Sequence, residues 1–254
     1  MKYLSIYVLK LFLLLFLVLS SLTARADWEI HKKNNPTGSI METDQLESFC
    51  KTMSKKSIVF VDEAYHEYVT HPNYRSMIEL VKEGHNVLVS RTASKVHGLA
   101  GLRVGFAITT PEIAKRLESY LTDSLNIVGL RAAIASYQDK RFQAYSVEQN
   151  NIAKKIITNH LDSKGIEYLD SQTNFIFIKT GMDINKFQPA MEKNGVVIGR
   201  PFPPYTKWCR LSMAKPEEME MFNLGMDRVL GLSLIHISEP TRPERRAGAG
   251  FWVE

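Results

Sequence analysis

A lysine and an arginine stand out in the stretch RTASKVHGLAGLRVG, residues 91–105, because small residues and glycines surround both. The amine of Lys95 can add to a carbonyl group, and the guanidinium of Arg103 can hold a planar oxyanion. Glycines such as Gly98 and Gly101 let the backbone approach a ligand closely. A lone lysine is usually a solvated surface charge, but this setting favours a ligand site.

An acidic side chain follows another apolar stretch. SIVFV, residues 57–61, is a short β-branched run of the kind that forms buried parallel strands, and Asp62 comes directly after it. Ligands bind at the carboxyl ends of strands in open α/β sheets, so Asp62 is a candidate binding residue.

Strands and helices must alternate in the first half of the chain to position these groups. The predicted elements are strands at 57–61, 86–90 and 104–108 and helices at 41–53, 74–84 and 110–121. In the first helix, Asp44 and Glu47 have the spacing of a capping box. This alternation predicts an α/β layered domain.

A second pattern begins near residue 139. The predicted elements are a connecting helix at 141–163, strands at 174–179 and 208–214, and helices at 184–193 and 215–231. We expect these elements to form a smaller α+β domain over 139–231 that packs on the first.

Four motifs occur in order along the chain: NNPTG (34–38), VDEAY (61–65), RTASKVHGLAGLRVG (91–105) and WCRLSMA (208–214). In this order and spacing they closely resemble the fold-type I pyridoxal-phosphate aminotransferases of class I/II, especially the histidinol-phosphate aminotransferase-like branch, over about residues 34–230. The resemblance implies transamination between an amino acid, histidinol-phosphate-like or related, and a 2-oxo acid, as in amino-acid biosynthesis. It also implies a homodimer that binds small-molecule substrates.

The resemblance also implies the fold and its division. A three-layer cofactor-binding domain with a mainly parallel sheet is expected over 27–138, present only in part, with the small domain at 139–231. Family members carry a long block before the first motif, whereas 33 residues precede Asn34 here. We therefore expect an amino-terminally incomplete chain, a fragment of a larger enzyme.

Several residues take cofactor roles by this resemblance. Lys95 matches the lysine that forms a Schiff base with pyridoxal 5′-phosphate and then carries the proton. Asp62 matches the partner of the pyridine nitrogen, and Tyr65 and Asn35 match the residues that hydrogen-bond the 3′-oxygen.

The phosphate and the substrate have their own candidate residues. Arg103 matches the residue that grips the cofactor phosphate, with the hydroxyls of Thr92 and Ser94 nearby. The substrate candidates are Arg210 for the α-carboxylate, Asn174 near the entrance and Arg200 for the distal group. His97 and Tyr205 are weaker candidates, and His97 is expected to support other residues rather than to touch a ligand.

Two other functions stay open. A decarboxylase or lyase on the same scaffold would share these motifs, and analysis for a keto acid or carbon dioxide would separate the reactions. A non-catalytic cofactor-binding or regulatory domain is the other alternative, but such regulators carry an amino-terminal helix-turn-helix, and residues 1–33 contain none.

The two ends differ from the middle. Residues 1–26 have a basic start, an apolar run and an A-x-A site, which predicts a secretory signal and an exported or periplasmic protein; a cytoplasmic location is the alternative. Lys10 interrupts the apolar run, so no stable membrane span is expected. Residues 232–254 begin with LSLIHISEPTR, which is similar to a translated sequencing adapter; a disordered tail is the alternative.

The charge and cysteine content argue against a nucleic-acid-binding protein and against a metal site. The net charge is +5, but residues 1–26 contribute three positive charges and the last 23 residues balance, so the middle is close to neutral. Without a basic stripe, no nucleic-acid partner is expected. Cys50 and Cys209 are far apart and have no metal-ligand spacing, so we expect free thiols and no metal site.

Overall fold

The computed structural model describes residues 7–8, 34–120 and 126–232. Apart from 7–8 and 232, the predicted signal and the predicted tail lie outside these described residues. The strands are β1 (Tyr7–Val8), β2 (Val59–Asp62), β3 (Val87–Thr92), β4 (Gly105–Ile108), β5 (Tyr168–Leu169), β6 (Phe175–Lys179) and β7 (Trp208–Ser212). The helices are α1 (Thr43–Met53), α2 (Ile78–Lys82), α3 (Pro111–Glu118), α4 (Ile127–Gln138), α5 (Lys140–Ser163), α6 (Ile184–Lys193) and α7 (Pro216–Leu230). Shorter helical turns are Asn34–Thr37, His66–Tyr68 and Ala100–Leu102.

The first sheet has the strand order β1-β4-β3-β2. Strands β2 and β3 run parallel with Asp62 opposite Ser90, as their apolar sequences predict. Strand β4 runs antiparallel to β3, with Gly105 opposite Thr92, so the sheet is mixed within the described residues. The carboxyl ends of β2 and β3 and the amino end of β4 therefore meet at one edge.

Helices cover both faces of this sheet. Val87 and Val89 of β3 pack in one buried cluster with Cys50 of α1. Leu88, which lies between them, packs on the opposite face against Ile113 of α3. A strand buried on both faces has a continuous apolar sequence, and the helices on its two sides form the predicted three layers.

Helix α4 is absent from the sequence-based prediction. Its sequence, IVGLRAAIASYQ, distributes apolar and small residues around the helix, so the periodicity of a single buried face is weak. The side chain of Asn126 caps its start by accepting a hydrogen bond from the Gly129 N–H at 2.9 Å. Asp139 then caps α5 by accepting from the Phe142 N–H at 2.9 Å. The 24-residue α5 is the predicted connecting helix.

The second sheet is antiparallel, with the order β5-β6-β7 and Phe177 opposite Arg210. Ile178 packs in a buried cluster with Ile157 of α5, Phe187 of α6 and Phe222 of α7. This is the predicted α+β arrangement. No helix of the described ranges, α5 included, is long and apolar enough to cross a membrane.

The predicted capping box of the first helix is wrong. Helix α1 has Glu42 at its N-cap position, so Asp44 lies inside the first turn. The guanidinium of Arg75 instead donates to Asp44 at 2.7 Å and to Glu47 at 3.1 Å. The two carboxylates that the spacing predicted to cap the helix therefore bind an arginine that is distant in sequence.

Candidate active site

Asp62 ends β2 at the edge where three strand ends meet. Its Oδ1 accepts hydrogen bonds from the Ser90 hydroxyl at 2.9 Å and from the Ala64 N–H at 3.1 Å. Neither bond uses Oδ2, so the carboxylate is held in place and keeps an acceptor for a ligand. The position agrees with the expectation that ligands bind at the carboxyl ends of strands.

The segment after β3 holds Lys95 in a compact loop. The N–H of Ser94 donates to the Thr92 hydroxyl at 3.1 Å, and the N–H of Gly98 donates to the Lys95 carbonyl at 2.9 Å. The Lys95 Nζ lies 5.1 Å from the centroid of the Tyr65 ring, close enough for a cation–π contact. The loop thus brings the amine of one motif to the aromatic ring of another.

Arg103 closes the same loop in a left-handed conformation, with φ of 54°. This conformation costs a non-glycine residue about 1–2 kcal/mol, which makes it a candidate for a functional position. Its Nη1 donates to the Ala100 carbonyl at 2.9 Å, and the side chain is exposed. Gly105 follows, where a Cβ atom would lie 3.1 Å from the Arg91 carbonyl. The close pairing of β3 with β4 therefore favours glycine at the end of the loop.

A set of rings and one arginine joins the two sheets. The rings of Tyr65 and Phe175 are nearly perpendicular, with centroids 5.4 Å apart, and the Arg210 Cζ lies 5.2 Å from the Phe175 centroid. The Arg210 Nη1 donates to the Asn35 Oδ1 at 2.9 Å, across 175 positions of sequence. The Nε of Arg210 is buried and has no hydrogen-bond partner among the described residues. Burial lowers the pKa of this guanidinium, and the field of Tyr65 opposes that effect.

Arg200 approaches the same region from the loop before β7. The Cζ atoms of Arg200 and Arg210 lie 4.3 Å and 4.9 Å from the centroid of Phe202, so two cations share one ring. Asn174 directly precedes β6, where its carbonyl accepts from the Met213 N–H at 2.8 Å. Tyr205 packs edge-on against Phe177 at 5.5 Å.

A buried ion pair lies behind the strand ends. The Arg91 Nε and Nη2 donate to the Glu63 Oε2 at 3.1 Å and 2.7 Å. Glu63 also accepts from the Ser76 hydroxyl at 2.8 Å and from the Met77 N–H at 2.8 Å. Because Glu63 follows Asp62 and Arg91 precedes Thr92, this pair fixes the spacing of the two strand ends.

The structure thus brings Asn35, Asp62, Tyr65, Lys95 and Arg210 towards one another. Thr92, Ser94 and Arg103 belong to the Lys95 loop, and Arg200 and Asn174 flank the Arg210 side.

The sequence-based prediction missed Arg91, Phe175 and Phe202. The opposite charges of Glu63 and Arg91 at the ends of adjacent predicted strands were a usable signal, but nothing distinguishes Phe175 from its apolar neighbours in β6.

A cleft of about 720 Å³ lies elsewhere, between the turn His66–Tyr68 and α5. Glu67, Glu148 and Ile152 are among its lining residues, and it contains none of the predicted site residues. Since the chemistry-bearing side chains converge on the sheet edge, we assign the candidate active site there. Among the described residues, no cluster of three or more His, Cys, Asp or Glu side chains is placed to hold a metal ion.

The family model for aminotransferase class I and II matches residues 31–224 of the chain. A histidinol-phosphate aminotransferase 2 from Hydrogenovibrio crunogenus is 32% identical over 201 residues, which is 78% of this chain and 54% of that protein. The chain therefore spans about half the length of the curated relatives that it matches.

Two crystal structures are similar to the chain. The histidinol-phosphate aminotransferase from Sinorhizobium meliloti in complex with pyridoxal-5′-phosphate has a TM-score of 0.69 and 25% identity, covering 78% of this chain and 55% of that one. L-threonine-O-3-phosphate decarboxylase from Porphyromonas gingivalis has a TM-score of 0.64 and 18% identity, covering 78% of this chain and 62% of that one. The second likeness concerns the fold alone, so the fold does not separate transamination from decarboxylation.

Proposed function

Because the chain belongs to the aminotransferase class I and II family, we propose that it performs pyridoxal-phosphate-dependent transamination. The amino group would pass between an amino acid, histidinol phosphate or a related compound, and a 2-oxo acid. The observation that carries the proposal is the contact of the Lys95 amine with the Tyr65 ring near the strand end that carries Asp62; Arg210 is connected to the same ring through Phe175.

The residues present fit this cofactor. The Asp62 carboxylate, fixed through Oδ1, would accept from the protonated pyridine nitrogen. The Asn35 Oδ1 is taken by Arg210, so the Nδ2 of Asn35 is left to donate to the 3′-oxygen beside the Tyr65 hydroxyl. The bound cofactor supplies an electron sink for the bond that breaks at the substrate Cα.

The Lys95 loop would hold the rest of the cofactor and move the proton. The amine of Lys95 would hold the aldehyde end of the cofactor, and as a free amine it would accept the proton from the substrate Cα. The exposed guanidinium of Arg103 and the hydroxyl of Ser94 would hold the phosphate, and the Thr92 hydroxyl, which donates to the Val104 carbonyl at 3.3 Å, would have to rotate to join them.

Arg210 of β7 and Arg200 of the loop before it would bind the substrate. Arg210 would hold the α-carboxylate, because its buried Nε lacks a partner and its Nη1 is oriented by Asn35. Arg200, exposed beside Phe202, would meet the distal group, with Asn174 near the entrance. Guanidinium groups suit the anions of both proposed substrate types, the carboxylate of an amino acid and the phosphate of histidinol phosphate.

The experiment is to add pyridoxal phosphate to the 254-residue chain, reduce with borohydride, and locate the modified lysine by mass spectrometry. We expect modification at Lys95 and loss of the visible absorbance band in Lys95→Ala. Lys115→Ala, on the exposed side of α3, is the control and should keep the band. An unchanged band in Lys95→Ala would refute the proposal.

The assembly and the location of the protein are also proposals. Ile127 and Val128 of α4 and Tyr145 of α5 are exposed apolar side chains, which supports a homodimer. The basic and apolar pattern of residues 1–26 supports export to the periplasm, rather than a cytoplasmic location. Sedimentation velocity of the purified chain and fractionation of expressing cells are the measurements that check these two proposals.

A further inference from the structure

Two contacts connect the segment after β2 to the segment after β3, and the two residues of each contact are separated by the same number of positions in the sequence. In the first, the Lys95 Nζ lies 5.1 Å from the centroid of the Tyr65 ring. Two residues further along each segment, the His97 Nε2 lies 3.8 Å from the Glu67 Oε1. The second contact is buried, since the side chain of His97 is 0% exposed and that of Glu67 is 14% exposed.

The surroundings of His97 determine which nitrogen carries a proton. Its Nδ1 lies 2.9 Å from the Ser136 hydroxyl, which can donate or accept, and its ring packs on Tyr137 with centroids 3.8 Å apart. The Nε2 has no hydrogen-bond partner among the described residues, and the carboxylate of Glu67 faces it. A lone pair on Nε2 would be buried against an anion, whereas an N–H there is attracted to it.

The ionisation of Glu67 agrees with a donor at that position. Burial raises the pKa of this carboxyl, but the neighbouring His97 ring, the backbone of Glu67 itself and the charges of His66 and Arg91 outweigh burial and leave the pKa below its ordinary value. A carboxyl with a pKa below its ordinary value is ionised at neutral pH, so the His97 Nε2 faces an anion.

Each of these residues is joined to a site residue by one tight turn. The Gly98 N–H donates to the Lys95 carbonyl at 2.9 Å, so His97 lies inside a turn that begins at Lys95. In the same way, the Tyr68 N–H donates to the Tyr65 carbonyl at 3.0 Å, and Glu67 lies inside that turn. A shift of either inner residue therefore moves its site residue.

We propose that His97 is a positioning residue whose Nε2–H binds the Glu67 carboxylate and thereby sets the Lys95 amine against the Tyr65 ring. Its consequence for the cofactor rests on the proposed function, but the contact and the position of Lys95 do not. The proposal concerns a side chain that touches neither cofactor nor substrate, and it acts through the backbone of the Lys95 turn.

The first test uses the cofactor-free chain with its lysines labelled by reductive ¹³C-methylation. The ring current of Tyr65 displaces the NMR resonance of Lys95, which is assigned with Lys95→Arg, and Tyr65→Leu gives the undisplaced reference. We expect His97→Phe and Glu67→Gln to remove more than half of the displacement. A Lys95 resonance that does not move in His97→Phe overturns the proposal.

The second test separates positioning from packing. Glutamine places an N–H donor near the position of the histidine Nε2, so His97→Gln should restore most of the displacement that His97→Phe removes. The ¹⁵N spectrum of the cofactor-free chain should show His97 protonated at Nε2. Glu148→Gln, which changes an exposed acid of the cleft next to Glu67, is the control and should leave the Lys95 resonance in place. A His97 protonated only at Nδ1, or equal losses in His97→Gln and His97→Phe, would contradict the proposal.

A third measurement connects the pair to the proposed function. Titration with pyridoxal phosphate should show affinity weaker by about tenfold or more in His97→Phe, because a buried acceptor loses its donor and the Lys95 turn loses its support. His97→Gln should recover most of that affinity, and equal affinity in wild type and His97→Phe would contradict positioning. If the wild-type chain binds no cofactor, the proposed function fails, while the two cofactor-free tests still decide whether His97 positions Lys95.

Discussion

Replacing Arg91 with methionine tests whether the ion pair between Arg91 and Glu63 stabilises the strands that carry the candidate site. Arg91 donates to the Glu63 Oε2 through Nε at 3.1 Å and Nη2 at 2.7 Å, and its Nη2 lies 3.0 Å from the Ser76 hydroxyl. Arg91→Met keeps most of the alkyl volume and removes the charge. Glu63 would then be a buried carboxylate that accepts only from Ser76 and the Met77 N–H.

The size of the effect follows from burial. The side chains of Arg91 and Glu63 are 14% and 5% exposed, and removing one partner of a buried pair costs about 3–5 kcal/mol. The two donors that remain on Glu63 place the expected loss near the lower end, at about 3 kcal/mol. For a folded unit of about 200 residues, this corresponds to a fall in Tm of about 6–12 °C.

Arg75 is the matched control. It also binds two carboxylates, Asp44 at 2.7 Å and Glu47 at 3.1 Å, but its side chain is 55% exposed. Solvent screens exposed ion pairs, so Arg75→Met should lower Tm by much less than Arg91→Met does. Thermal and urea unfolding followed by circular dichroism give both values. Equal losses in Arg75→Met and Arg91→Met would refute the reasoning, since burial would then not set the cost.

Burial also predicts how two other kinds of group behave. Burial raises the pKa of the Cys50 thiol to about 11 and that of Cys209 to about 12, so neither should react with a disulfide reagent at pH 8 until the chain unfolds; rapid reaction of the native chain would contradict this. Burial lowers the pKa of Lys154, whose amine donates to the Ser171 carbonyl at 2.6 Å. The unfolded chain then binds more protons than the native chain as the pH approaches 10.5, so the free energy of unfolding of the wild type relative to Lys154→Met should rise as the pH is raised towards that value, and a constant difference up to that pH would contradict the lowered pKa.

The elements that the sequence predicts well are those with one strong physical signal. Strands β2 and β3 are short apolar runs, and the predicted helix at 184–193 has the bounds of α6. Helix α4 has no such signal, because its own apolar and small residues are distributed over all of its faces. The direction of β4 was also not predictable, since the 12 residues between Thr92 and Gly105 are long enough for either a loop or a short crossover.

The candidate site was predictable as a set of residue types, and its geometry was not. The motifs place Asp62, Tyr65 and Lys95 after strands, and parallel pairing of β2 with β3 brings them to one edge. The contact between Asn35 and Arg210 joins residues 175 positions apart and depends on how the second sheet packs. The role of each residue stays a prediction until the lysine and its neighbours are tested.

The aromatic rings explain how the two halves of the site can hold cations close together. Arg200 and Arg210 repel each other, and burial of Arg210 increases the cost of its charge. Phe202 contacts both guanidinium groups, and Phe175 contacts both Arg210 and Tyr65. Ring faces attract cations without neutralising them, whereas a carboxylate at the same place would occupy the donors. Under the proposed function, the arginines would therefore stay available for the anions of a substrate, and the contact of Tyr65 with Phe175 would link the second sheet to the ring that Lys95 contacts.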